Sequence, residues 1–295
     1  MNLDNLPLVS ILIPFYNHNH FITQTLNSVI EDTYPNKEII IINDGSPNLN
    51  DSNIISWIEK YKDYISINYI KRENRGVTKT LNELISLSKG KYIIVSASDD
   101  YLINNTIIER VKILEKNPSK LLLLSDNIVV DDSGKKLYDS NLFEYKKAKK
   151  EDYIGDAQLK KTIINNWSLA GACFMVNREI YNIIGDYDQN LIVEDWDFFL
   201  RATSKNLILF YDEKVSAYRL HYANTVNNPK IALKMNQNQV FVARKNVHLF
   251  SFPYNLYLYK RYIKHKIKLR KIEENFPYNL SIYKNYKRKK LKEQK

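Results

Sequence analysis

Short apolar runs alternate with segments of helical spacing over the first 130 residues. The runs predict strands at 9–13, 37–42, 65–70, 91–95 and 121–130. Between them, apolar residues recur every three or four positions, as in Ile22, Leu26 and Val29. That spacing predicts amphipathic helices near 22–30, 51–61, 77–85 and 107–114. Alternating strands and helices are typical of an α/β domain with a mostly parallel sheet flanked by helices.

The alternation stops near residue 131 and resumes at Trp167. The polar, lysine-rich stretch between them predicts a loop-rich insertion. Beyond it we expect a strand from Ala170 to Val176, a helix to Ile184 and another through Phe199. We therefore divide the chain into a domain over 1–243 and an extension over 244–295. Within the domain, the insertion 131–166 separates a first half, 1–130, from a second half, 167–243.

Positive charge is concentrated in that extension. The chain has a formal net charge of +11, and residues 244–295 hold 16 lysines and arginines against three glutamates. From Phe250 onwards tyrosines are interleaved with these basic residues, which favours docking of 250–295 on an anionic membrane over a merely solvated charge run. Single-stranded nucleic-acid binders use similar composition, but the near-neutral remainder makes nucleic acid an unlikely partner.

Composition also bears on the cellular compartment. The single cysteine, Cys173, cannot build a disulfide framework. The N-terminal sequence lacks the basic flank and apolar core of a signal peptide, and no apolar run approaches the roughly 20 residues that span a bilayer. These features predict a cytoplasmic protein.

Polar residues follow several of the predicted strands, where parallel sheets bind ligands. They are Tyr16-Asn17, Asp44 and Asp99-Asp100. The seven glycines are not spaced for a dinucleotide fingerprint or a P-loop, which disfavours a dehydrogenase or a P-loop enzyme. The strand ends instead suit a ligand rich in hydroxyls, or a metal.

Each acidic group has a functional and a plain structural interpretation. Asp44 could accept hydrogen bonds from a base or ribose, or simply form an Asp-Gly turn. Asp99-Asp100 could hold Mg²⁺ or Mn²⁺, or cap the next helix. The cluster 194–197 could supply a general base, or be stabilised by the dipole of its own helix.

The order of these segments resembles the inverting glycosyltransferases of family 2, which have the GT-A fold. The matching segments are 9–17, 42–46, 73–76, 98–100, 171–174 and 194–195, and the resemblance covers about residues 8–225. It implies transfer of a sugar from a nucleotide-diphosphate sugar, a UDP-sugar, to a hydroxyl of a surface glycan or lipid-linked acceptor. Such an enzyme would work at the inner face of the cell membrane.

The resemblance also implies roles for individual residues. Asp44 is expected near the nucleotide base and Asp99 or Asp100 at the metal and diphosphate. Asp195 is expected as the catalytic base, with Glu194 orienting the site or contacting the acceptor. On the donor side we expect Pro14, Tyr16, Asn17, Asp44, Asn74, Gly76 and Asp99. On the acceptor side we expect Gly171, Ala172 and Trp167, whose ring could stack on a sugar or pack in the core. His221 lies where the family has basic residues near the diphosphate, so it is either a third metal ligand or an ordinary packing residue.

One departure from the family pattern affects the metal site. The family has an acidic residue two positions before Asp99, and this chain has Ala97. Because consecutive strand residues point to opposite faces, the two aspartates need not both bind the ion, and we favour Asp100 slightly over Asp99.

Two other classes remain open. A binding module that kept the fold and lost catalysis would explain Ala97. A nucleotidyltransferase would also use an α/β sheet and a metal, but it needs a glycine-rich basic loop after the first strand, where this chain has Pro14-Phe15-Tyr16-Asn17.

Overall fold

The computed structural model describes residues 6–47, 51–166, 173–221 and 229–293. Within these ranges the strands are β1 Val9–Phe15, β2 Lys37–Asp44, β3 Ser66–Arg72, β4 Tyr92–Val95, β5 Tyr101–Leu102, β6 Leu122–Val130, β7 Lys136–Tyr138, β8 Phe174–Asn177 and β9 Ile208–Arg219. The α-helices are α1 Ile22–Glu31, α2 Ser52–Tyr61, α3 Val77–Leu87, α4 Ile107–Lys116, α5 Asp156–Asn165, α6 Glu179–Ile184, α7 Glu194–Ser204, α8 Pro229–Asn246 and α9 Tyr254–Glu293.

The strands form one sheet in the order β3-β2-β1-β4-β8-β6-β9-β5, with β7 paired to β6. The first four strands of this order are parallel, and β8 joins the two halves through antiparallel pairs with β4 and β6. Strand β9 then runs parallel to β6. This arrangement confirms the α/β fold with helices against the sheet, since parallel neighbours require crossover connections.

Apolar layers cover both faces of the sheet. On one face Ile22, Leu26 and Val29 of α1 are fully buried in a cluster with the odd-numbered residues of β1. On the other face Leu84 of α3 and Phe198 of α7 pack in a second cluster. Successive residues of a strand therefore pack into the apolar layers on opposite faces of the sheet. This arrangement explains why the consecutive isoleucines of β2 are all buried.

The end of β1 and the regularity of the segment 131–166 differ from the sequence expectation. Strand β1 does not end at Pro14 but continues to Phe15. Proline has no backbone N–H to donate, but β4 pairs with β1 only as far as Leu12, so Pro14 breaks no hydrogen bond with β4. The segment 131–166 is more regular than expected, since Leu159, Ile163 and Ile164 of α5 are buried.

Strand β9 was not expected at all. Its central residues Asp212, Glu213 and Lys214 are charged, which hides the strand from a search for apolar runs. Pairing with the buried strand β6 fixes the extended conformation despite this polar centre.

The C-terminal extension is helical and is partly packed on the domain. Helix α8 crosses the proposed boundary at residues 243 and 244, and Leu258 of α9 is fully buried in a third cluster with Trp196 and Val242. Arg261 lies over the Trp196 ring at 5.5 Å. In the described part of the chain, none of the helices combines the length and apolarity needed to cross a bilayer.

Candidate active site

The carboxyl ends of β2, β1 and β4 lie side by side, so the polar residues that follow them share one edge of the sheet. Strand β9 brings its own end to the same place, since the Arg219 backbone N–H donates to Asp100 Oδ1 at 2.9 Å. Four chain segments distant in sequence therefore meet here.

Asp44 organises the connection between β3 and α3. Its carboxylate accepts hydrogen bonds from the Arg72 guanidinium and from the backbone N–H groups of Arg75 (2.8 Å) and Gly76 (3.0 Å). The Asn74 amide donates to the Asp44 carbonyl at 2.7 Å. A Cβ at Gly45 would lie 2.5 Å from the Asn74 backbone nitrogen, which explains glycine at this close approach.

A second set of contacts joins the ends of β1 and β2. The Asn17 N–H donates to Ser46 Oγ at 2.8 Å, and Asn17 has a positive φ of 60°. Pro14 lies within β1, and the Tyr16 side chain is 47% exposed. The Tyr16 ring is therefore free to face a ligand at this edge.

Beside these loops lies a group of three side chains that we call the His–Asp cluster: His18, Asp99 and His221. His221 Nε2 lies 2.9 Å from Asp99 Oδ2, and His18 Nδ1 lies 3.7 Å from Asp99 Oδ1. One potential ligand atom from each residue lies within 4.8 Å of the other two. An ion bound at about 2.1 Å by each ligand separates ligand atoms by about 3 to 4 Å, so the cluster fits a divalent cation after small adjustments.

The electrostatics of Asp99 suit a metal ligand. Burial alone would raise the pKa of Asp99, but the hydrogen bond with His221 and the nearby histidines hold it below its usual value. The carboxylate is therefore charged at neutral pH.

Asp100 has a different environment, and the geometry favours Asp99 over it as the candidate metal ligand. Burial and the adjacent Asp99 charge raise the pKa of Asp100 well above its usual value. Residues 97–100 form a turn closed by the Asp100 N–H and the Ala97 carbonyl (3.2 Å), so the alternation of a strand no longer applies. Among the described residues, the cluster that could hold a metal contains Asp99 and His221 but not Asp100.

Arg219 holds the Asp99-Asp100 turn in place. Its Nε donates to the Asp99 carbonyl at 2.9 Å, and Nη1 donates to the carbonyls of Asp131 (3.0 Å) and Asp132 (2.9 Å). The guanidinium also lies 4.7 Å from the centre of the Phe21 ring. A single buried cation thus joins β9, the turn and the start of the 131–166 segment.

The acidic pair Glu194 and Asp195 begins α7. Burial, and then the Asp195 charge, raise the pKa of Glu194 to about 8. Asp195 Oδ1 accepts the Trp196 N–H at 2.6 Å. Because its raised pKa favours the protonated form of Glu194, Asp195 is the member of the pair that suits a general base.

Helix α3 connects this pair to the Asp44 region. It begins directly after Gly76, and Thr78 Oγ1 donates to the Leu191 carbonyl at 2.6 Å. The Asn82 side chain exchanges two hydrogen bonds with the Tyr187 backbone, at 2.9 and 3.1 Å. The segment before α7 is therefore hydrogen-bonded to α3, and Asp44 holds Arg75 and Gly76 directly before that helix.

Three acceptor-side residues named from the sequence, Trp167, Gly171 and Ala172, lie outside the described residues. Sequence reasoning missed His18 and Arg219. His18 directly follows the strand-end motif that finishes at Asn17, and this position in the sequence could have identified it as a candidate site residue. No local pattern marks Arg219, because its partners come from three other parts of the chain, near residues 21–24, 99–101 and 131–132.

The fold is that of the GT-A glycosyltransferases, as a comparison with solved structures shows. S. aureus TarS 1-349 in complex with UDP-GlcNAc has a TM-score of 0.64 at 18% identity, with 88% of this chain and 72% of that chain covered. The mannosyltransferase PcManGT from Pyrobaculum calidifontis, in complex with GDP-Man and Mn2+, has a TM-score of 0.63 at 15% identity, with 96% and 75% covered.

Residues 10–185 match the model of glycosyl transferase family 2, and the chain belongs to this family. An uncharacterized glycosyltransferase of Rickettsia prowazekii is 29% identical over 75% of this chain and 66% of its own length. Poly-beta-1,6-N-acetyl-D-glucosamine synthase of Staphylococcus epidermidis is 29% identical over 63% of this chain and 43% of its own. The chain thus spans less than two thirds of the length of these relatives.

Proposed function

We propose that the chain transfers a sugar from a UDP-sugar to a hydroxyl of a surface glycan or lipid-linked acceptor, with inversion at the anomeric carbon. The observation that carries this proposal is the meeting of the His–Asp cluster with the ends of β1 and β2 at one edge of a GT-A sheet. Donors in two solved neighbours, UDP-GlcNAc and GDP-Man, support a nucleotide-sugar donor.

In the proposed reaction Asp195 takes the proton of the acceptor hydroxyl. The acceptor oxygen attacks the anomeric carbon as the bond from that carbon to the β-phosphate oxygen breaks, and UDP leaves with the bonding electrons. Glu194 orients the site beside Asp195. Tyr16, Asn17 and the region that Asp44 organises would receive the nucleoside.

Asp99 and His221 would hold Mn²⁺ or Mg²⁺ against the diphosphate, with His18 within reach. When bound, the ion offsets the negative charge that develops on the leaving diphosphate. The donor set supports this assignment because a charged carboxylate and two imidazoles converge on one point.

Two rival functions give different products. A nucleotidyltransferase would release pyrophosphate, and a binding module that has lost catalysis, which Ala97 would favour, would release neither product. The test is to screen nucleotide-sugars by thermal shift with and without Mn²⁺, then to measure UDP and pyrophosphate released from the best donor. Release of UDP with an acceptor supports the proposal, and release of pyrophosphate overturns it.

The two aspartates of the turn should respond differently to substitution. We expect Asp99→Asn to abolish the Mn²⁺-dependent part of the donor's thermal shift, because the site loses its charged ligand. Asp100→Asn should retain that dependence, since an amide oxygen can still accept the Arg219 N–H. Thermal-shift titrations with donor and Mn²⁺ provide the measurement. Loss of Mn²⁺ dependence in Asp100→Asn alone would restore the original assignment of Asp100.

We also propose that α9 docks the protein on the inner face of the cell membrane, which places it in the cytoplasm as a peripheral protein. Large apolar side chains are exposed on the outer side of this region, and we call them the apolar stripe: Phe252, Leu256, Tyr259, Ile263 and Ile267. Those within α9 recur every three or four residues, opposite the buried Leu258 and His265. Exposed Lys260 and Lys266 flank the stripe on either side, as in helices that lie in an anionic interface.

Replacing the stripe should weaken vesicle binding without unfolding the protein. We expect Ile263→Gln with Ile267→Gln to reduce binding to phosphatidylserine-containing vesicles by at least about tenfold, because inserting an isoleucine contributes about 1.5–3 kcal/mol. Vesicle co-sedimentation at several salt concentrations gives the affinity. Ile55→Gln with Ile183→Gln, which alters two isoleucines equally exposed on α2 and α6, is the matched control. Equal binding by the stripe variant and the control would rule out insertion of this surface.

A further inference from the structure

The turn at residues 97–100 supplies one carboxylate to the His–Asp cluster. Ala97 has only a methyl group, and the Asp100 carboxylate accepts the Arg219 N–H on the other side of the turn. A divalent ion held by Asp99 and His221 alone would therefore have few protein ligands.

His18 reaches the same carboxylate from a different part of the chain, the connection between β1 and α1. Its Nδ1 lies 2.9 Å from Ser98 Oγ and 3.7 Å from Asp99 Oδ1, whereas His221 lies against the other oxygen of Asp99. The two imidazole centroids are 5.6 Å apart and nearly perpendicular. The Phe21 ring lies beside both imidazoles, at 6.3 Å from His18 and 5.1 Å from His221 between centroids.

The two histidine side chains also differ in their exposure to solvent. The His221 side chain is 2% exposed, whereas that of His18 is 25% exposed. The cluster is therefore more open to an ion from solvent on the side of His18 than on the side of His221.

We infer that His18 replaces the missing carboxylate as a third protein ligand, and that the resulting site with two nitrogens and one oxygen selects Mn²⁺ over Mg²⁺. The inference deepens the proposed function and rests on it. Mg²⁺ prefers oxygen ligands and near-ideal octahedral geometry, whereas imidazole nitrogen suits first-row transition ions. Mn²⁺ accepts both the imidazoles and the oxygens of a diphosphate, so it matches this mixed ligand set.

The test compares His18→Asn with a matched control, His20→Asn, which changes an exposed histidine in the same connection. With UDP present, Mn²⁺ affinity is measured from the electron paramagnetic resonance signal of the free ion, and Mg²⁺ affinity by competition. We expect His18→Asn to weaken Mn²⁺ binding by at least about tenfold, since even residues behind the ligands typically contribute 10–100-fold. Mg²⁺ affinity should change little, so the preference for Mn²⁺ shrinks, and His20→Asn should match the parent.

Pulsed electron paramagnetic resonance on bound Mn²⁺ gives a readout that a merely structural role of His18 would not change. We expect coupling to two imidazole nitrogens in the parent and to one in His18→Asn. One nitrogen in the parent, or unchanged Mn²⁺ affinity in His18→Asn, overturns the inference. If Asp99→Asn then still abolishes Mn²⁺ binding, the proposed metal site survives that result. Absence of Mn²⁺ binding to the parent with UDP would instead overturn both the metal site and the role of His18.

Discussion

Asp195→Asn should lower glycosyl transfer by at least about 100-fold while leaving donor binding unchanged. The amide keeps the shape of the carboxyl group but cannot accept the proton of the acceptor hydroxyl. A base acts on the acceptor in the transition state, so its loss affects turnover rather than affinity for UDP or the UDP-sugar. Calorimetric titration with UDP and Mn²⁺, together with UDP-release kinetics on the same preparation, measures both quantities.

Two companion variants sharpen this test. Glu194→Gln should retain most of the turnover, because burial and the Asp195 charge raise the pKa of Glu194 to about 8 and the amide resembles its protonated form. Asp186→Asn removes an exposed carboxylate shortly before α7 and should behave like the parent. If the acidic pair only stabilises the helix, Asp195→Asn would instead change stability by about 0.3–1 kcal/mol with nearly intact turnover. That outcome would exclude Asp195 as the base and make Glu194 the next candidate.

Arg219→Lys should lower the free energy of unfolding by about 2–4 kcal/mol. The guanidinium donates to several acceptors at once: the buried Asp99 carbonyl, and the partly buried Asp131 carbonyl and Gln24 side chain. A lysine keeps the charge but cannot reach these acceptors together, so some are left without a donor. Urea unfolding followed by circular dichroism measures the loss.

Arg75→Lys is the matched control, because the Arg75 side chain is 59% exposed and the same substitution there should change stability by less than about 0.5 kcal/mol. We also expect Arg219→Lys to weaken the Mn²⁺-dependent donor shift, since the Asp99 turn loses the bond that holds it. Equal stability of the two lysine variants would show that the contacts of Arg219 contribute little to the fold.

Much of the fold could be predicted from the sequence because its signals are local. The isoleucine run of β2 and the helical spacing of Ile22, Leu26 and Val29 predict buried elements whatever the rest of the chain does. Alternation of the two element types then implies a parallel sheet, and the polar residues after its strands indicate the edge that binds ligands. Strand β9 could not be predicted in this way, because its charged centre adopts an extended conformation only through pairing with β6.

The sequence by itself determined the α/β fold, the candidate binding edge of the sheet and the acidic groups available there. Only the tertiary structure decided which of these groups lie together. His18, Asp99 and His221 are far apart in the chain and meet because β1, β4 and β9 end at the same edge. Likewise Asp99 faces the two histidines and Asp100 faces Arg219 because the backbone turns after Val95. Local periodicity describes which face of an element is apolar, but the direction of a side chain in a turn depends on partners that only folding brings near.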